Sequence, residues 1–253
     1  MAEFKGIDVS KHQGKIDWRK VANTGIKFAM IRASYGWDNP DQVDKYLAEN
    51  VAGCEANGIH YGFYHYSYAT TPAEAKKEAE FFIQTIRKYK PSMPLVYDIE
   101  DASQEKLGKE VLTDMCLAFC TTVEAWGYYA AIYASLNWLR NLLDMKRLSK
   151  IDVWLAQWAK QPTYTGDFGM WQYSATGKVD GIQGNVDMNI AYVDYPALIK
   201  KAGLNGWTIT HEEEKEPPAE TVPIEQYNAL QAKYDALAEA IGNFIKSVEG
   251  RWI

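Results

Sequence analysis

The stretch PLVYDIED, residues 94–101, places three carboxylates within four positions at the end of an apolar run. The apolar side chains suit a buried β-strand, in which alternate residues share one face. Asp98 and Glu100 are therefore expected to point the same way, with Cα atoms about 6.6 Å apart. Two like charges at this spacing raise the pKa of one carboxyl group, and the proton that it keeps can serve in general acid catalysis.

The ends of the other extended segments carry further polar residues, with Asp8 in the first segment and Asp187 in the last. In a barrel of parallel strands, the carboxyl ends open on one face, where catalytic groups collect. The closeness of strand ends to solvent explains part of this pattern, but it does not explain four acids among mostly uncharged neighbours. We therefore expect Asp8, Asp98, Glu100 and Asp187 to share one aromatic-walled cleft.

Hydrolysis of a glycosidic bond is the chemistry that fits this set of residues. The sequence shows no metal-ligand cluster, no nucleophile with a paired base and no phosphate-binding loop, so neither a metal nor a cofactor is expected. His65 is interpreted as a packing or supporting residue, because it alternates with Tyr64 and Tyr66. The expected Cα spacing of Asp98 and Glu100 is close to the lower limit of the carboxyl separation in inverting pairs, but side-chain rotamers can move the two carboxyl groups either way. The stereochemical outcome therefore stays open.

Strand and helix patterns alternate along the chain as far as residue 207. The clearest helical patterns begin at Asp41, Pro72 and Lys109, and the first and third end in glycine. Eight extended segments alternating with helices predict an α/β fold, an irregular TIM-like β/α barrel with a mainly parallel sheet. The short gaps at 159–184 predict that the closing strands break the pattern. The segments are GIDVS, FAMIRAS, HYGFYHYS, PLVYDIE, YYAAIYAS, VWLAQW, GMWQYS and NVDMNIAY.

Composition argues against several classes of function. The net charge of −6 is concentrated in residues 208–253, and the nearly neutral remainder has no basic stripe for nucleic acid. No apolar run is long enough to span a bilayer, and the start lacks a secretory signal. We therefore expect neither nucleic-acid binding nor insertion into a membrane. Its cysteines, Cys54, Cys116 and Cys120, are interpreted as buried thiols.

Seven short segments, taken in order, resemble the glycoside hydrolase family 25 lysozymes over roughly residues 4–207. The resemblance implies an irregular β/α barrel and an N-acetylmuramidase that cuts the β-1,4 bond after N-acetylmuramic acid in peptidoglycan. It also implies that Glu100 is the general acid, that Asp98 is its charged partner, and that Asp8 and Asp187 shape the field and hydrogen bonding around them. The segments are GIDVSKHQGKIDW, YGFYHYS, VYDIED, IYAS, WLAQW, WQYS and VDMN.

Two mechanisms remain open after Glu100 protonates the leaving group. In the favoured one, the 2-acetamido oxygen of the substrate attacks while Asp98 orients the amide and stabilises the positive charge, because an Asp-x-Glu pair on one strand is typical of substrate-assisted hydrolases. In the other, Asp98 holds an inverting water.

Further residues are candidates for contact with the substrate. Gln172 is a candidate donor to an acetamido or peptide group. Arg32 is expected to pair with one of the acids rather than to touch substrate, because a buried arginine needs a carboxylate. Sugar contacts are expected from four aromatic residues, each with packing inside the barrel as the alternative: Tyr64, Tyr66, Tyr133 and Trp158.

The composition changes after Trp207, so the catalytic barrel is predicted to span residues 1–207. Residues 208–223 contain five glutamates and three prolines, which is typical of a solvated linker. Residues 224–253 carry an amphipathic helical pattern that needs a partner surface. Self-association through 224–250 is preferred to folding back onto the barrel. The apolar seam consists of Tyr227, Leu230, Tyr234, Leu237, Ile241, Phe244 and Val248.

Together with the lack of a secretory signal, the resemblance implies a phage endolysin that is made in the host cytoplasm and lyses the bacterial host by acting on its cell wall. A bacterial autolysin of the same activity is the alternative. The tail is too short for a usual cell-wall-binding module, and association of several barrels would replace such a module by avidity. The alternative from a different functional class is a binding module, a barrel that binds peptidoglycan without cleaving it. It is disfavoured because a protein without catalysis has no chemical need for a desolvated acid pair.

Overall fold

The computed structural model describes residues 3–37, 39–209 and 232–233. Within these residues, eight strands close into one barrel in chain order. Neighbours from β1 to β7 run parallel, whereas β8 runs antiparallel to both β7 and β1. The predicted irregular β/α barrel is confirmed, including the break in the pattern at the closing strands. The strands are β1 (Phe4–Val9), β2 (Phe28–Tyr35), β3 (His60–Tyr66), β4 (Leu95–Asp98), β5 (Ala130–Ser135), β6 (Asp152–Ala156), β7 (Met170–Gly177) and β8 (Val186–Ala191).

Three of the α-helices correspond to the clearest helical patterns in the sequence. Two of them begin at Pro72 and Lys109, as predicted, and the other begins at Leu47 rather than at Asp41. The helices are α1 (Trp18–Asn23), α2 (Leu47–Ala56), α3 (Pro72–Ile86), α4 (Lys109–Ala125) and α5 (Tyr195–Lys201).

The late start of α2 has a local cause in the residues that precede it. Pro40–Gln42 forms a single 3-10 turn, and Val43 then returns to extended backbone and bridges to Ser34 of β2. Asp44 follows, and its two carboxylate oxygens accept from the backbone N–H groups of Tyr46 and Lys11. These contacts hold the segment in a non-helical path, so a helix that reaches back to Asp41 is not formed.

Two apolar layers hold the barrel together. The layer between strands and helices contains Phe119 of α4, whose ring stacks on Tyr97 of β4 at a centroid distance of 4.3 Å. The layer inside the barrel contains Phe28 and Trp154. Gly6 faces the ring of Phe28, which a Cβ atom at this position would overlap. Apolar side chains therefore fill the barrel below its carboxyl end, where the polar residues lie.

The predictions made for the rest of the chain have different outcomes. The three cysteines are buried and free, as predicted. No helix among the described residues is long and apolar enough to cross a membrane. The predicted linker, 208–223, and the predicted helical tail, 224–253, lie outside the described residues except for 208–209 and 232–233, so both stay predictions.

Candidate active site

A cleft of about 460 Å³ lies at the carboxyl ends of the strands. The structure brings together at this cleft all ten residues that the sequence analysis selects. They are the acids Asp8, Asp98, Glu100 and Asp187, together with Arg32, Tyr64, Tyr66, Tyr133, Trp158 and Gln172.

Strand pairing explains how Asp8, Asp187 and Asp98 come to lie close to one another and to tyrosines. Asp8 and Asp187 are direct partners in the antiparallel pair of β1 and β8. Asp98 is the last residue of β4, with Tyr66 of β3 as its partner on one side and Tyr133 of β5 on the other. Since partners across a sheet share a face, these residues all point into the cleft.

Glu100 lies beyond the end of β4, not within it, so the strand spacing expected for Asp98 and Glu100 does not apply. The N–H group of Ile99 makes the last sheet hydrogen bond, to Tyr133 O at 3.1 Å. Ile99 is fully buried and the side chain of Glu100 is exposed at the cleft. Asp98 is therefore buried, whereas the side chain of Glu100 is exposed at the cleft.

Asp8 is held by a network of amide groups. Its Oδ2 accepts from Gln172 Nε2 at 3.0 Å and from Asn189 Nδ2 at 2.8 Å. Trp154 Nε1 donates to Asn189 Oδ1 at 2.8 Å, which turns the amide nitrogen of Asn189 toward the acid. Tyr133 OH donates to Gln172 Oε1 at 3.0 Å and turns that amide in the same way. The aromatic walls of the cleft therefore fix the orientation of Asp8.

One carboxylate oxygen of Asp98 is buried without a hydrogen-bond donor among the described residues. Asp98 is 4% exposed, and its Oδ1 atom has no hydrogen-bond partner among the described residues. A buried carboxylate oxygen without a donor reduces the stability of the fold. A substrate N–H group placed at this oxygen would supply the missing donor.

The two buried acids have raised pKa values. Burial raises the pKa of Asp8 to about 7, and the charge of Asp187 adds to the effect. Burial also raises the pKa of Asp98 well above its usual value, with the charges of Glu100 and Asp8 adding to the effect and that of Arg32 opposing it. The cluster therefore keeps protons at a pH at which isolated carboxyl groups have lost them.

The two more accessible acids are shifted in the same direction. Partial removal of water in the cleft raises the pKa of Glu100, and the charges of Asp187 and Asp101 raise it further. Burial also raises the pKa of Asp187. A raised pKa favours the protonated form of Glu100, which is the form that a general acid needs.

Arg32 lines the cleft but forms its ion pair with an acid outside the set of four. Its Nε and Nη2 atoms donate to Asp44 Oδ2 at 3.0 and 2.9 Å. Sequence analysis missed Asp44 because it lies in the segment that was predicted to be helical. The pair leaves the four acids without a bonded cation among the described residues, in agreement with their raised pKa values.

The end of β2 contains a bulge that changes the direction of Ser34. The pairing of β2 with β3 shifts between Arg32 and Ser34, so that Ser34 pairs with His65 instead of following Arg32 into the cleft. Ser34 Oγ is hydrogen-bonded to His65 Nδ1 at 2.9 Å, and both side chains are fully buried. The ring of His65 packs on Phe82 and Phe119, in the layer between strands and helices.

The aromatic residues differ in where they lie along the cleft. Tyr64 and Tyr133 contact the buried ring of Trp154 edge-on, at centroid distances of 6.1 and 4.7 Å. Tyr66 donates to Asp101 Oδ2 at 3.1 Å. Trp158 is 66% exposed and donates to Gln172 Oε1 at 3.0 Å. Gln172 already has protein partners on its oxygen and its nitrogen, so its direct contact with substrate stays a prediction.

Other residues of the cleft were not selected from the sequence. Trp154 is one of them. The alternation of residues in the segment VWLAQW could have identified it, because Trp154 shares a face with Ala156 at the end of β6. Asn189 of β8 does not itself line the cleft, and its contact with Asp8 depends on the antiparallel register of β8. The others, which follow β1 or lie in β7, are Ser10, His12, Gln13 and Ala175.

Comparison with known proteins agrees with this geometry. The model of glycosyl hydrolases family 25 matches residues 7–182. The chain belongs to this family. As a member of glycosyl hydrolases family 25, it is a glycoside hydrolase of the lysozyme type. The matched range contains Asp8, Asp98 and Glu100, and Asp187 lies just beyond it.

Three relatives illustrate the extent of the similarity. Lysozyme M1 of Streptomyces globisporus is 30% identical over 207 residues, which cover 73% of this chain and 66% of that protein. The crystal structure of the CTP1L endolysin has a TM-score of 0.68 at 29% identity, over 78% of this chain and 69% of that one. The autolysin LytC of Streptococcus pneumoniae, solved with a synthetic peptidoglycan ligand, has a TM-score of 0.68 at 27% identity, over 75% of this chain and 47% of that one.

Proposed function

We propose that the protein is an N-acetylmuramidase that cleaves the β-1,4 bond between N-acetylmuramic acid and N-acetylglucosamine in peptidoglycan. The observation that carries the proposal is the buried Oδ1 of Asp98, which has no hydrogen-bond partner in the part of the chain that the structure describes and lies beside the exposed acid Glu100. Peptidoglycan sugars carry 2-acetamido groups, whose N–H is a donor of the kind that Oδ1 lacks. The likeness to LytC, which was solved with a peptidoglycan ligand, supports the same substrate.

In the proposed reaction, Glu100 donates its proton to the oxygen of the glycosidic bond. The raised pKa of Glu100 favours the protonated form, which is the form that can donate this proton. When the substrate N–H bonds to Asp98, the hydrogen bond favours the charged form of Asp98. The proton that Asp98 and Glu100 share then resides on Glu100. Binding of substrate itself therefore places Glu100 in the protonated form that the reaction needs.

Asp98 has the second role in this proposal. Its carboxylate orients the 2-acetamido group so that the amide oxygen attacks the anomeric carbon, and it stabilises the positive charge that forms on the amide. Asp8 and Asp187 maintain the negative field around the reacting carbon. Water then attacks the anomeric carbon from the face that the leaving group has vacated and gives a proton to the carboxylate of Glu100. The bond from the anomeric carbon to the amide oxygen breaks, which restores the 2-acetamido group and the acid.

Participation of the acetamido group predicts that the configuration at the anomeric carbon is retained. Proton NMR of the product, recorded before mutarotation, is expected to show the β-anomer first. An initial α-anomer would contradict participation and would support a water held by Asp98.

Cleavage is tested by incubating the protein with purified cell walls. A fall in turbidity together with the release of new reducing ends is expected. Sedimentation of the protein with the walls, with neither of these changes, would indicate a barrel that holds peptidoglycan without cutting it. Walls from several bacteria are compared in the same assay, and the walls that lose turbidity fastest identify the preferred target.

We propose further that the biological role is that of a phage endolysin. The likeness to the CTP1L endolysin supports this role. Production of the protein inside a bacterium whose wall it cleaves is expected to cause lysis only when a pore-forming protein opens the membrane. Lysis at the same rate without the pore would support the alternative role of an exported autolysin.

The partner proposed for the tail is a second copy of the chain. The apolar seam in residues 224–250 supports self-association, which would place several barrels on one wall and increase avidity. Light scattering is expected to give a multiple of the 28.7 kDa chain mass for the full chain and a monomer for a chain that ends at Trp207. A full chain that is monomeric at micromolar concentration would contradict the proposal.

A further inference from the structure

Tyr68 is an exposed aromatic residue that lies next to the cleft but does not line it. It follows β3 by two residues and is 46% exposed. Its ring lies 5.2 Å from the ring of Tyr66, which does line the cleft. The aromatic wall of the cleft therefore continues onto the outer surface at Tyr68.

Contacts on several sides hold Tyr68 in position. The ring of Tyr35 meets it edge-on at a centroid distance of 6.3 Å, and the ring of Tyr66 meets it at an interplanar angle of 59°. The backbone N–H of Tyr68 donates to Glu78 Oε1 at 2.8 Å. Tyr35 is itself covered by the cationic groups of Lys11 and Arg32, at 5.5 and 5.6 Å from its centroid. Tyr68 is thus the ring that this cluster presents to solvent.

Glu78 of α3 anchors the loop of residues 67–71, which follows β3 and carries Tyr68, from inside the protein. Its side chain is completely buried, and Ser67 Oγ donates to its Oε2 at 2.7 Å. Gln104 Nε2 donates to Ser67 Oγ at 3.1 Å, so the loop after β4 is tied to the same point. A buried carboxylate needs such partners to be tolerated. Here those partners fix the backbone that carries Tyr68, while leaving its ring in contact with water.

We propose that Tyr68 binds a sugar ring of the peptidoglycan strand outside the cleft and so extends the glycan-binding surface beyond Tyr66. The apolar C–H face of an N-acetylated hexosamine suits a flat aromatic ring that carries one polar edge. A ring that is already held in place loses little conformational freedom on binding, which favours affinity. This inference rests on the proposed function, because it assigns a further part of the same substrate.

The test uses the full chain and soluble, uncross-linked glycan chains of graded length. Tyr68→Ala is expected to raise KM for the longest chains by about fivefold or more, with the loss in KM rather than in kcat. The ratio of KM between variant and parent is expected to grow with chain length, since only long chains reach Tyr68. Tyr68→Trp keeps an aromatic face and is expected to restore most of the affinity.

Trp126→Ala is the matched control, since Trp126 is 62% exposed, follows directly after α4 and lies outside the cleft. It is expected to leave KM unchanged at every chain length. A KM ratio for Tyr68→Ala that is close to one, or that is the same for short and long chains, would overturn the proposal. Cleavage by the parent protein is measured in the same series, so failure of the proposed muramidase activity would be recognised separately.

Discussion

Glu100→Gln is expected to lower kcat for peptidoglycan hydrolysis by about 10²–10⁴-fold, the range that general acid catalysis contributes. The amide has nearly the same shape as the protonated acid, but it has no proton to deliver to the leaving oxygen. The side chain is exposed at the cleft, so the substitution is expected to leave the fold intact. The Tm of the variant should therefore be no lower than that of the parent.

The measurement is the initial rate of reducing-end release at saturating cell-wall substrate. Glu105→Gln is the matched control, because it makes the same change in an exposed side chain of the same loop, outside the cleft. The control is expected to retain the parent rate. Retention of more than a few per cent of the parent rate by Glu100→Gln would mean that another group is the acid.

Asp98→Asn is expected to lower kcat by about a hundredfold or more, as removal of one preorganised electrostatic group does in other enzymes. The neutral amide cannot stabilise positive charge on the acetamido group. The same change relieves the repulsion that Glu100 and Asp8 exert on the buried carboxylate, so stability should not fall. A catalytic role thus predicts loss of rate at an unchanged or higher Tm, whereas a structural role predicts a lower Tm.

Two measurements on Asp98→Asn distinguish these roles. The first is kcat on soluble glycan chains, and the second is Tm by calorimetry or circular dichroism. Asp114→Asn is the control, because Asp114 lies on α4 in a surface ion pair with Arg147, and such pairs contribute little stability. An Asp98→Asn protein with the parent kcat would exclude Asp98 from the reaction, and a large fall in Tm would indicate the structural role instead.

Much of the barrel follows from local sequence patterns. Hydrophobic segments of strand length alternate with helical patterns, and each pattern reports on its own residues. The starts of α3 and α4 are predictable for the same reason, because Pro72 and Lys109 mark them locally. The acids were found because a parallel barrel places all carboxyl ends on one face, which makes the strand ends a set of candidates.

The features that were not predicted depend on contacts between distant segments. The bulge in β2 redirects Ser34 through pairing with β3, and nothing in FAMIRAS marks it. The turn at Asp44 is held by Arg32 and by the backbone of Lys11. The segment therefore does not form the helix that its sequence pattern predicts. The partners of Asp8 likewise depend on β8 running antiparallel to β1. The periodicity of a single sequence reports on residues that are close along the chain and gives no information about such contacts.

The most direct test of the account is the chemical identity of the sugar that the reaction exposes. Peptidoglycan digested by the protein is reduced with borohydride and hydrolysed, and the reduced amino sugars are then separated by chromatography. Cleavage after N-acetylmuramic acid predicts that muramitol appears and increases with digestion time, and that Glu100→Gln abolishes the increase. Glucosaminitol in place of muramitol would identify cleavage of the other glycosidic bond, and the absence of both would show that no glycosidic bond of peptidoglycan is hydrolysed.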